Sequence, residues 1–134
     1  MSAAPPWVAP YVGIPYMDKG RARTGADCWG LVRMVQRDVF HVDLPDYGDA
    51  YRDGEDWERI GQAVAAGLAA GWRQVARPAT GDLVILRIAE RPWHCGVAVS
   101  GSRFLHALSG YASVVERFDC PRWSNRIEGF YRHG

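Results

Sequence analysis

At 134 residues, with 48% hydrophobic and 23% charged residues and a formal net charge of +1, the chain has the size and balance of a single soluble domain, 1–134, with one core. Its basic residues are almost all arginine, Lys19 being the one lysine, and they are scattered without runs. That excludes the basic face that nucleic-acid binding needs, and no apolar stretch approaches the ~20 residues of a membrane span.

The opening "MSAAPPWVAP" has neither a basic nor an apolar leader, so no signal peptide is expected and synthesis is expected to be cytoplasmic. Up to residue 26 the chain carries Pro5, Pro6, Pro10, Gly13 and Pro15 and reads as an irregular arm with short extended pieces. In "TGADCWGLVRMV" the pattern changes. Cys28, Leu31, Val32, Val35 and Val39 recur at helical spacing behind Asp27 in the N-cap position, which predicts a helix from Cys28 to about Phe40. "HVDLPDYGDAYRDGEDWERIG" is acidic and turn-rich; it lacks the residue order of a calcium loop and reads as a solvated acidic loop. A second helix is expected from Asp56 to about Ala70, weakened by Gly61 and Gly67 and stopped by Gly71.

Strands follow. "GDLVILRI" is nearly continuous apolar and predicts a central strand buried on both faces. "HCGVAVSGSRFLHAL" reads as a hairpin with its turn in "SGS", and "SVVERF" and "RIEGFYRH" as closing strands. Helix, helix and then an antiparallel run is an α+β order.

Three cysteines without a CxxC, an HExxH or a spaced Cys/His quartet make a disulfide framework or a zinc site a poor reading, so neither metal nor cofactor is expected. Cys28 stands at a helix start, where partial positive charge and N–H groups lower a thiol pKa. Helix position alone leaves it open between a core cysteine and a nucleophile. A nucleophile needs a base, and His94 and His106 share the hairpin. A three-residue loop of Val99 to Gly101, or a five-residue one, sets the two imidazoles opposite each other on one face; a two-residue turn throws them onto opposite faces. Alternation turns Cys95 away from His94, toward the core with Val97 and Val99, as a packing residue. Nothing gives Cys120 a task.

The segments "GIPYMDKGRARTGADCWGLV", "GDLVILR", "HCGVAVSGSRFLHALSG" and "GFYRH" resemble the NlpC-type cysteine peptidases, from about Gly13 to the end of the chain. The combination of "DCWGLVR", "LPDYGDAY" and "GFYR" resembles the phage-encoded and gene-transfer-agent subgroup. The resemblance implies a papain-like α+β fold, with the cysteine helix packed on an antiparallel sheet. It also implies hydrolysis of an amide in the peptidoglycan stem peptide, between D-glutamate and a diamino acid. By position Cys28 is then the nucleophile, His94 the base and His106 its orienting partner, with Tyr16 and Asp27 near the amino end of the substrate. Tyr16 and Asp27 read equally well as a turn aromatic and a helix cap. Trp29 occupies the place where most cell-wall members have serine, beside the nucleophile. The acidic loop and helix, about 43–77, are extra relative to compact members and could dock a partner.

The implied role is that of a peptidase in a phage-like tail, delivered to the wall by tail-tip or hub proteins and ending in the particle. The alternative from another class is a structural or assembly component of the tail tip with weak or lost catalysis.

Overall fold

Asp27 starts the first helix. Its backbone is extended and its carboxylate accepts from the Gly30 N–H, so one of the N–H groups left over at the helix start is satisfied by the N-cap side chain. The helix, α1, runs Cys28–Phe40 and ends at His41, whose left-handed φ of 59° lets the Val42 N–H reach back to the Gln36 carbonyl. Its inner face buries Leu31, Val32, Met34 and Val35, each contributing about 1.5–3 kcal/mol relative to exposure.

The computed structural model describes residues 5–45, 71–88 and 91–133 and positions 59, 62, 65–67 and 69. The arm before α1 holds a 3-10 turn at Ala9–Tyr11 and two short strands, β1 (Arg21–Ala22) and β2 (Gly25–Ala26), as expected of an irregular segment with short extended pieces. The acidic loop lies, beyond Pro45, outside the described residues. So do most positions of the expected second helix, although positions 59, 62, 65–67 and 69 are helical.

The remaining strands are β3 (Trp72–Val75), β4 (Leu83–Ile88), β5 (Arg91–Ala98), β6 (Arg103–His106), β7 (Val114–Arg117) and β8 (Ile127–His133). They form one sheet in the order β3-β8-β4-β5-β6-β7, every pair antiparallel. β4 lies between β8 and β5 with Leu83, Val84, Ile85 and Leu86 all buried, the central strand that its apolar run predicts. β3 was not expected; it is a short edge strand paired with β8, inside the segment read as loop and helix.

Alternation along the strands divides the core in two. Leu83, Ile85, Cys95, Val97, Val99 and Leu105 pack with α1 on one face. Val84, Leu86, Ala98 and Phe104 pack with Phe118 and Trp123 on the other. Among the described residues no helix is long and apolar enough to cross a membrane.

Candidate active site

The start of α1 is clamped from three sides. Arg21 donates to Asp27 Oδ1 at 2.8 Å, Gly30 N–H to the same oxygen at 2.7 Å and Lys19 N–H to Oδ2 at 3.1 Å. Asp27 is only 3% exposed, so its carboxylate fixes the first turn rather than facing solvent. Gly30 is needed for the fit, because a Cβ there would come within 1.9 Å of the Gly20 carbonyl oxygen. Tyr16 reaches the same place through a parallel bridge to Ala26. Burial, followed by the negative charge of Cys28, Asp27 and Asp18, pushes its hydroxyl pKa up, and Tyr16 and Cys28 both pack against the core that α1 shares with the sheet. Trp29 is turned inward instead; it is 9% exposed and its indole N–H donates to the Pro45 carbonyl at 2.9 Å, tying the chain after α1 to the helix.

Cys28 keeps partial exposure and lies against both Cys95 and His94. Those two neighbours point to opposite faces of β5, just beyond its last pair with β6, Gly96 with His106, and Cys28 packs against the core on the α1 side. β5 and β6 are joined only over Gly96–Ala98 and Phe104–His106. A hydrogen bond from the Cys95 thiol, and the bond and charge of His94, hold Cys28 well below the ordinary thiol value against the opposing effect of burial. The same contact pushes Cys95 up. Cys95 is buried with Val97 and Val99 as alternation requires, and it is also a hydrogen-bond donor to the thiol, which alternation does not reveal.

The hairpin register differs from the arrangement in which the two imidazoles face each other directly. Val99 and Ser100 N–H groups both reach the Arg103 carbonyl, so the loop is Ser100 to Ser102, and His106 stands opposite Gly96. The shift is two residues, which preserves parity, and the histidines become diagonal neighbours on one face. His94 Nε2 and His106 Nδ1 are 2.8 Å apart. Gly96 leaves the gap through which they meet. Trp123 stacks on His94 and sets its edge to His106, and Phe104 stacks on His106 with ring centroids 4.2 Å apart. Both imidazoles are buried, at 3% and 1% exposure, inside this aromatic cage. Burial, and then the neighbouring His94, lowers the His106 pKa to about 4, so this ring is neutral at neutral pH.

Glu116 was not anticipated. It lies diagonally across the next strand pair, on the same face, and its Oε2 is 2.5 Å from His106 Nε2. Arg122 donates to its other oxygen at 3.2 Å. His106, Glu116 and Arg122 border a groove of about 390 Å³ that also touches Leu108, Tyr111 and Val114.

A thiol of lowered pKa at a helix start, beside an imidazole held by a second imidazole on an antiparallel sheet, is the papain-like arrangement. The chain belongs to the NlpC/P60 family, whose model matches residues 13–132. It is 27% identical over 118 residues, 88% of this chain and 55% of the other, to "Murein DD-endopeptidase MepS/Murein LD-carboxypeptidase" of Escherichia coli K12. It is 29% identical over 108 residues, 79% of this chain and 44% of the other, to "Tail tip assembly protein K" of Escherichia phage N15. The chain thus spans about half the length of these curated relatives. Among solved structures, the NlpC/p60 domain of the peptidoglycan hydrolase SagA shares the fold with a TM-score of 0.63 at 22% identity, covering 96% of both chains.

Proposed function

We propose that this chain is a cysteine peptidase that hydrolyses an amide bond in peptidoglycan stem peptides, and that it acts as part of a phage-like tail tip during wall penetration. The observation that carries the chemistry is the contact of Cys28, at the start of α1, with His94, itself 2.8 Å from His106. The Cys28 thiolate attacks the carbonyl carbon, and backbone N–H groups at the helix start receive the oxyanion. Protonated His94 gives its proton to the leaving amine. Neutral His94 then takes a proton from the water that releases the acyl-enzyme. Tyr16, beside the thiol, is the candidate substrate contact, whereas Asp27 and Trp29 act through the shape of the helix start. The N15 relative, named for tail-tip assembly, supports the setting. The family-level expectation for the bond is D-glutamyl to diamino acid.

Purified protein and a Cys28→Ala variant, incubated with several peptidoglycans, test this by mass spectrometry of the released fragments. Fragments with a new amino group on the diamino acid are expected, with the rate falling about a thousandfold or more in the variant. Fragments ending at another bond would correct the substrate. Complete lack of fragments would favour a second reading, a tail-tip assembly component without catalysis, for which the N15 relative's name is the supporting observation.

A further inference from the structure

We propose that Glu116 is a positioning residue for the thiol chemistry, the far end of a relay Cys28–His94–His106–Glu116 whose strength Arg122 adjusts. This rests on the reading of Cys28 as a nucleophile. The direction of the relay follows from donor and acceptor chemistry. A carboxylate only accepts, so His106 Nε2, 2.5 Å from Glu116 Oε2, carries the proton. With one proton on this neutral ring, His106 Nδ1 is an acceptor, and the nitrogen 2.8 Å away, His94 Nε2, is the donor. That leaves His94 Nδ1 as the ring nitrogen for exchange with Cys28. Without Glu116 the His106 ring has no such constraint, and the opposite tautomer would point an N–H at His94.

Glu116 is charged for this role. Burial, the largest single effect, raises its carboxyl pKa, but hydrogen bonding, that from His106 foremost, together with the neighbouring charge of Arg122 outweighs it and holds the carboxyl low. Through the chain its negative charge stabilises the ion pair formed when Cys28 passes its proton to the relay, and so favours the thiolate. Arg122, half exposed, offsets part of that charge. Among the described residues, the other charged or titrating groups about the relay are Cys95, Tyr16, Asp18, Asp27 and Arg21, all at the thiol end.

The test is the pH dependence of Cys28 alkylation, followed peptide by peptide by mass spectrometry, in the wild-type chain, Glu116→Gln and Arg122→Gln. Imidazole nitrogen NMR of His106 accompanies it. Glu116→Gln is expected to raise the Cys28 midpoint by about one pH unit and Arg122→Gln to lower it by less. The wild-type His106 signal should be that of a neutral ring protonated at Nε2. Opposite shifts from adjacent substitutions are what a merely structural role does not produce. Unchanged midpoints, shifts of the same sign, or an Nδ1-protonated His106 would overturn the proposal. Should Glu116→Gln not fold, Arg122→Gln decides alone: a downward shift supports the relay and any other result ends it. A wild-type Cys28 that titrates like free cysteine would instead remove the cysteine-peptidase reading, and the His106 tautomer would still report on the relay.

Discussion

Asp27 serves the site from inside the protein. Its two oxygens hold the Gly30 and Lys19 N–H groups and the Arg21 guanidinium, so the helix that carries Cys28 is fixed to the arm that carries Tyr16. Asp27→Ala is expected to lower unfolding free energy by about 1–2 kcal/mol, the cost of a lost cap, and Asp27→Asn by less, since an amide oxygen still accepts from Gly30. Denaturant titration of the two variants measures the difference; equal losses would mean that the ion pair with Arg21, not the cap, dominates. At this scale the place of Cys28 at a capped helix start was legible, because helix start and cap are local properties, whereas the shared face of His94 and His106 stayed open until the loop length was known. Glu116 was not. A lone carboxylate in "SVVERF" reads as a solvated side chain, and its bond to His106 depends on the β6–β7 register, which nothing local to either strand sets.

The β5–β6 hairpin positions the relay through its loop. Placing the turn at Ser100 to Ser102 sets Gly96 opposite His106, and a Cβ on Gly96 would lie 2.7 Å from the Leu105 carbonyl oxygen and 3.0 Å from His106 Cβ. Gly96→Ala is therefore expected to destabilise the protein by about 1–3 kcal/mol, as overpacking does, and to displace His106 from His94. Thermal melting measures the first effect, and the rate of Cys28 alkylation at neutral pH, expected to fall, measures the second. Legibility at the element scale follows burial. α1, β4 and the hairpin bury apolar side chains in regular periods and were readable. β3 was missed because an edge strand with Arg73 and Gln74 exposed and only Trp72 and Val75 half-buried leaves little periodic signal after a helix-stopping glycine.

The whole molecule joins two cores through one buried titrating chain. α1 and one sheet face form the larger core, Trp123, Phe104 and Phe118 cover the other face, and the histidines stand inside the second while Cys28 belongs to the first. The α+β order was readable, but the division into two faces, with the site at the end where they meet, required the three-dimensional strand pairing. One consequence is acid lability. The His106 pKa is about 4 in the folded protein and 6.5 is the ordinary value, so the unfolded chain binds the extra proton between these limits. Stability then rises with pH across that window and is lost on acidification from about 6.5 to 4, by about 3 kcal/mol in all. Glu116, whose carboxyl is held low in the fold, adds a loss of the same sign as pH falls further. Among the described residues, the charged or titrating groups facing His106 are His94, Glu116 and, behind Glu116, Arg122. Unfolding free energy of the wild type and of His106→Gln, measured across pH 4 to 8, checks the assignment. The variant should be less stable at pH 7 yet show a flatter profile below 6.5, whereas an unchanged slope would place the acid-sensitive proton on another group.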